Sequence, residues 1–230
     1  MAGTNPTTGR STPLTRLALS TLWALLVCYP DPRVLWAAIR NTITPPIDAA
    51  AVADWARTLP DQPAEIERLV LERVKYAVPW ESAGVPWVFA APAETLARGM
   101  GDCQARAVVL ASVLAAKGIP FQLRASLDHM WVEYPGKRPN ELENAAKTLW
   151  DKPPGAGFRF RLPSIDWGES YRIEKEYFWG PAPVSRRVLL FAGWLVIWFW
   201  RAPVSRVRRT PAAAPSTVQL TRATLDRRPV

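Results

Sequence analysis

Hydrophobic and polar positions along this chain fall into a few kinds of segment. Two are continuous apolar runs without charge, Leu17 to Val27 (LALSTLWALLV) and Val188 to Trp200 (VLLFAGWLVIWFW), near opposite ends. Between them the pattern is one-sided. The stretch Ile47 to Thr58 sets Val52, Trp55 and Ala56 inward, and Pro63 to Tyr76 sets Ile66, Leu69, Val70 and Val74 on one face, so both predict helices. A third helix is predicted by Ala107, Val108, Leu110, Ala111, Val113, Leu114 and Ala115, and Gly118 with Pro120 ends it. Phe121 to Ala125 and Met130 to Tyr134 then read as strands around the polar break Ser126-Leu127-Asp128, and Phe158 to Arg161 alternates as a further strand would. Helices followed by short strands predict an α+β domain.

These patterns divide the chain. Residues 1–16, rich in Thr, Ser, Gly and Pro, read as a disordered N-terminus, and 17–44 as a hydrophobic helical segment. A folded domain is expected over 45–180, a second hydrophobic helix over 181–201 and a basic disordered tail over 202–230. The first run fits a signal-peptide core, a short membrane anchor or a buried helix; without a small-x-small cleavage site behind it, the uncleaved anchor is preferred. The second is apolar on every side, unlike an amphipathic surface helix, and Trp194, Trp198 and Trp200 crowd one end as an interfacial belt does. Its thirteen residues fall short of the roughly 20 a bilayer span needs, unless Arg186 and Arg187 reach the headgroups. If both runs cross a membrane, the two termini share one side, and the positive-inside rule puts them in the cytoplasm with the domain on the extracytoplasmic side.

Charge refines this picture. The formal net charge of +9 invites a nucleic-acid reading, but Ile47 to Gly180 holds 16 Lys and Arg against 18 Asp and Glu. Residues 201–230 hold seven arginines and one aspartate. The basic excess lies in a tail without interleaved aromatics, which argues against nucleic acid and for a juxtamembrane segment. Two cysteines, Cys28 and Cys103, in different contexts indicate no disulfide framework.

The candidate chemistry lies between Glu94 and Tyr134, which contains Cys103 and the chain's one histidine, His129. Gly99-Met100-Gly101 is a flexible approach, Asp102 is a good N-cap, and Cys103 falls in the first turn of the predicted helix. The helix dipole there favours a thiolate, and the exposed N–H groups suit an oxyanion. His129 opens the second strand, an arrangement able to bring imidazole beside sulfur.

The segment GDCQARAVVLASVLAAKGIP followed by DHMWVEY, with the lead-in AETLARG, resembles the core of the transglutaminase-like (papain-like) superfamily over about Glu65 to Asp151. The resemblance implies a catalytic cysteine at a helix N-terminus packed on an antiparallel sheet, with Cys103 as nucleophile and His129 as general base and then acid. It implies a third residue, Asp or Asn, orienting the imidazole. Asn144 lies near the expected hairpin position and Asp151 follows the apolar pair Leu149-Trp150; Glu143 is a third possibility, whereas Asp128 is too close in sequence. The loop Ala77 to Pro92 borders the cleft in the related fold, so Trp80 and Trp87, together with Trp131 beside the histidine, are candidate substrate-lining residues, against a plain packing role.

Two functions follow as expectations. One is a membrane-attached cysteine enzyme, hydrolase or acyltransferase, acting on a peptide or carboxamide bond through a Cys103 thioester without metal or cofactor. The other is an inactive module on the same fold that holds a peptide at the membrane. A protein or peptide partner and a membrane are expected in both, and nucleic acid in neither.

Overall fold

A computed structural model describes residues 12–126, 129–138, 143, 148–152, 159–160 and 167–199. The expectations for both termini, Asp128 and Asn144 lie outside the described residues. Within them the chain is mixed α+β, mostly helical with small sheets.

Helix α1 spans Pro13–Cys28, capped by Thr12, whose Oγ1 accepts from the Thr15 N–H at 3.3 Å. Pro30-Asp31-Pro32 breaks the segment, since neither proline can donate within a helix, and Asp31 restarts it by accepting from Arg33 N–H at 2.9 Å. The expected single segment 17–44 is thus two helices, with α2 (Pro32–Ile43) turned 93° from α1. A 3₁₀ turn, Ala50–Val52, leads into α3 (Ala53–Thr58), and α4 covers Pro63–Arg73. The chain then leaves the helix as strand β1 (Lys75–Tyr76), short helix α5 (Pro79–Ser82), helix α6 (Pro92–Arg98) and strand β2 (Met100–Gly101). Helix α4 stops short of Tyr76 because β1 pairs in parallel with β2; the Lys75 and Ala77 N–H groups donate to the Gly99 and Gly101 carbonyls at 2.9 and 3.1 Å.

Helix α7 (Cys103–Ala116) is the centre of the core, with Val108, Val109, Val113 and Leu114 fully buried. It packs against Val52 of the 3₁₀ turn, Ile66 and Val70 of α4, and the strands that follow. Each such buried Val, Ile or Leu contributes about 1.5–3 kcal/mol relative to exposure, which makes α7 the most firmly held element. Strands β3 (Gln122–Ala125), β4 (Met130–Glu133), β5 (Trp150–Lys152) and β6 (Arg159–Phe160) form an antiparallel sheet in the order β4-β3-β5-β6. Alternation puts Leu123, Ala125, Met130, Val132 and Trp150 in the core with α7, and Gln122, Arg124, Trp131, Glu133 and Asp151 on the opposite face.

Helix α8 (Trp167–Glu174) runs into a π-helical turn, Lys175–Trp179, and α9 covers Val184–Phe199. Helices α1 and α9 pair antiparallel. Arg16 Nη1 donates to Trp198 O at 2.9 Å at one end, and Arg186 Nη1 donates to Val27 O at 2.6 Å at the other. Among the described residues no single helix is long and apolar enough to cross a membrane; two bent pairs, α1 with α2 and Ser170–Trp179 with α9, have the composition together.

Candidate active site

Cys103 is the first residue of α7, where the sequence leaves little choice of backbone. A Cβ on Gly101 would lie 2.6 Å from the Ala105 Cβ, so only glycine lets β2 pass so close to the first turn of the helix. Asp102 then caps the helix, its Oδ1 accepting from the Ala105 N–H at 2.9 Å. The result is a sulfur placed at the positive end of a buried helix. Cys103 keeps partial exposure.

His129 lies at the mouth of β4. Its N–H donates to Ser126 Oγ at 3.0 Å and its carbonyl accepts from the Ser126 N–H at 2.8 Å, which closes the β3–β4 connection. The next N–H along, that of Met130, lies near enough to the Cys103 sulfur to favour its thiolate. The start of β4 and the start of α7 therefore meet at the sulfur. The imidazole stacks on Trp131, with ring centroids 6.0 Å apart and planes 10° from parallel.

The third position differs from what the resemblance implies. Asp151 sits on β5 opposite Arg124 of β3, and Arg124 lies opposite Trp131 of β4. Asp151 is thus two strands away from β4, about 9.6 Å, and two residues further along from His129, beyond a direct hydrogen bond. The β5 position in the His129–Ser126 row is occupied by Leu149, whose N–H donates to Ala125 O at 2.7 Å. Asp151 instead accepts from Gln122 Nε2 at 2.7 Å and does not line the cleft. The carboxylate that acts on His129 is Glu143, which lies buried and favours the imidazolium.

Glu143 belongs to a network that sequence reasoning missed. Lys137 Nζ donates to Glu143 Oε1 at 2.7 Å, to Glu67 Oε1 at 2.9 Å and to Val132 O at 2.9 Å, and Tyr134 donates its hydroxyl proton to Glu67. The signal was the turn Tyr134-Pro135-Gly136-Lys137: proline at the second position and Gly136 with φ +82 at the third describe a type II turn, closed by Lys137 N–H to Tyr134 O at 3.1 Å. That turn folds Lys137 back over the end of β4.

Burial opposes the thiolate expected from helix position. Burial, then the neighbouring Asp102 charge, pushes the Cys103 thiol up to about 12, although the Met130 and Gln104 N–H groups pull the other way. Burial lowers His129 below its usual 6.5; Glu143 opposes this and Lys137 adds to it. Burial thus works against charge on both Cys103 and His129.

Asp102 is itself pushed up to about 6 from 3.8, chiefly by burial. A raised folded-state value means that its contribution to stability is complete below about pH 4 and is lost as pH rises through about 6. Asp102→Asn keeps the capping oxygen without the charge. The variant is expected to gain about 1–3 kcal/mol over the parent at pH 7, with little difference at pH 4, and to lower the pH at which Cys103 alkylates. Denaturant unfolding at both pH values, with an alkylation profile, checks this; equal stabilities at pH 7 contradict it.

Cys103 and His129 open on one cleft of about 1030 Å³, with walls that include Trp87, Trp131, Tyr76 and Tyr177. Arg106 lies over the Tyr76 ring at 5.1 Å, and Tyr177 of the π turn meets Tyr76 edge-on at 6.5 Å. Of the expected lining residues, Trp87 and Trp131 stand in the wall. Trp80 does not: it is buried in a separate cluster with Val78, Ala182 and Cys28, its indole N–H donating to Phe178 O at 2.8 Å. Among the described residues no group of three or more His, Cys, Asp or Glu side chains is placed to hold a metal ion. Comparison of the chain with protein-family models, with curated proteins and with solved structures finds no match to any of them.

Proposed function

We propose that this chain is a cysteine enzyme of the transglutaminase-like, papain-like kind, acting on a peptide or carboxamide bond through a thioester on Cys103. The observation that carries the reading is that Cys103 at the start of α7 and His129 just before β4 line one cleft. The imidazole rests stacked on Trp131 and has to turn from it to reach the sulfur. The order of the motifs along the chain, Gly-Asp-Cys, helix, Gly-Ile-Pro and then His-x-Trp-Val-Glu, supports it.

Because burial disfavours charge on both groups, proton transfer and bond formation go together in this reading. The His129 imidazole takes the Sγ proton as sulfur attacks the carbonyl carbon, so no free thiolate has to persist. The developing oxyanion meets the backbone N–H groups at the start of α7. The imidazolium, favoured by Glu143, then protonates the departing amine, and the tetrahedral adduct collapses to a thioester. Water or an amine, deprotonated by His129, resolves it to acid or to a new amide. No cofactor enters these steps. The aromatic walls at Trp87 and Trp131 suit an extended peptide.

A second reading, a peptide-binding module with an inert cysteine, is favoured by the thiol at about 12 and by Asp151 being held by Gln122 away from His129. Release of ammonia or amine from carboxamide-containing peptides separates the two. The enzyme reading expects turnover that Cys103→Ala removes; binding without turnover, unchanged in Cys103→Ala, contradicts it.

A further inference from the structure

We infer that α1 and α9 cross a lipid bilayer together as a short antiparallel hairpin, with α2 lying along the near surface. The hairpin is apolar on more faces than one partner helix could cover. Leu19, Leu22 and Leu26 of α1 and Val188, Leu195 and Val196 of α9 are between 46 and 59% exposed although the two helices already pack on each other. Their mutual contact is close. A Cβ on Gly193 would lie 2.0–2.6 Å from the Trp23 indole, so the glycine admits the ring, and Trp23 Nε1 donates to Leu189 O at 2.9 Å.

Several polar groups of the pair find partners within it, as hydrocarbon favours: Trp198 Nε1 donates to Ser20 Oγ at 3.1 Å, and Arg16 and Arg186 each cap a carbonyl of the opposite helix at opposite ends. Arg187 Nε, at the same end as Arg186, has no hydrogen-bond partner among the described residues. Charge is confined to those ends.

Helix α2 supplies the second observation. It leaves α1 at 93°, buries Ala38 and Asn41 against the domain, with Asn41 Nδ2 donating to Phe89 O at 2.8 Å, and presents Trp36, Ile39 and Ile43 to solvent. An apolar stripe at this spacing, with Arg33 and Arg40 beside it, is what an interfacial helix carries.

The chain ends decide between crossing and shallow burial. Helix α1 begins and α9 ends at the same end of the hairpin, where Arg16 meets Trp198. From there the sequence continues into 30 residues, 201–230, with seven arginines and one aspartate. Such a tail cannot stop in hydrocarbon, so the hairpin emerges on the far side, and the chain ends face a surface where basic residues are favoured. A second copy of the chain would cover one face of the hairpin and would leave this asymmetry of charge without a role. Each helix has 16 residues, about 24 Å at 1.5 Å per residue, against about 30 Å of hydrocarbon. Local thinning and extension of Arg16 and Arg186 to the headgroups make up the difference.

The test uses the full chain with both native cysteines changed to serine, carrying either Ala64→Cys in exposed α4 or Thr217→Cys in the tail, in sealed right-side-out vesicles from bacterial cells expressing it. A membrane-impermeant maleimide is expected to label one position at once and the other only after detergent. Two positions that respond alike overturn the crossing. A second arm places arginine in the lipid-facing surface, as Leu22→Arg with Val196→Arg, which touches no part of the folded domain. The carbonate-resistant, membrane-bound fraction is expected to fall about tenfold or more. An unchanged fraction, or a parent chain that is a detergent-free soluble dimer shielding the hairpin, overturns the proposal.

Discussion

His129→Ala is expected to slow acylation of Cys103 by about 10²–10⁴-fold, the usual share of a positioned acid–base group, while leaving the unfolding transition nearly in place. The size follows from the resting protonation. With the thiol pushed up to about 12, the fraction of thiolate near neutral pH is negligible, so attack without a base at hand is slow. The stability part follows from position: His129 sits at the edge of the sheet, half-buried, outside the α7 core. A neutral buried histidine stabilises the fold above about pH 6.5 and loses that contribution as the pH falls, so the alanine variant should be the less acid-sensitive of the two. Steady-state acylation and acid-unfolding curves of parent and variant measure both. Equal acylation rates contradict the assignment of His129 as base.

Lys137→Met is expected to cost about 2–4 kcal/mol of stability, because it removes the cation that pairs with the buried Glu143 and the partly exposed Glu67. The Lys137 side chain is only 6% exposed and Glu143 5%, so solvent does not screen the repulsion that remains. The same change raises His129, since Lys137 acts to lower it and Glu143 to raise it. Glu143→Gln acts the other way. A structural role alone predicts loss of stability without movement of the pH profile of acylation; the positioning role assigned to this network predicts an upward shift of the acid limb in Lys137→Met and a downward shift in Glu143→Gln.

Elements whose pattern is local were readable before the fold was known. The apolar run after Cys103 and the flanking Asp102, Gly118 and Pro120 describe α7 because burial on all sides and both end signals lie within one segment. The same holds for β3 and β4. The two-residue strands β1 and β2 carry no periodicity, and β1 exists because β2 pairs with it, so α4 was read too long. Pro30-Asp31-Pro32 closes the first apolar run in the sequence, and the structure starts a separate helix there, α2, at 93° to α1.

At the site, the placement of Cys103 and His129 was local and that of the third group was not. Whether Asp151 reaches His129 depends on the strand order β4-β3-β5, a non-local property in which β3 stands between them. The thiolate expectation weighed the helix terminus and omitted burial, which is tertiary and larger here. Lys137 looked like a loop cation, and the type II turn at Pro135-Gly136 is what folds it into the interior. Trp80 and Trp87 lie in one loop, yet the first turns into a cluster with Val78 and Ala182 and the second into the cleft wall.

The most direct test of the Cys103–His129 assignment is the intact mass of the protein, quenched in acid within seconds of mixing with an activated acyl ester such as p-nitrophenyl acetate. The account predicts one added acetyl group, located on Cys103 by peptide mapping, labile to hydroxylamine, retained in a Cys28→Ser chain and formed at least about a hundredfold more slowly in His129→Ala. A Cys103 that stays unmodified, or that acylates equally fast without His129, contradicts it and leaves a cleft that binds peptide without chemistry.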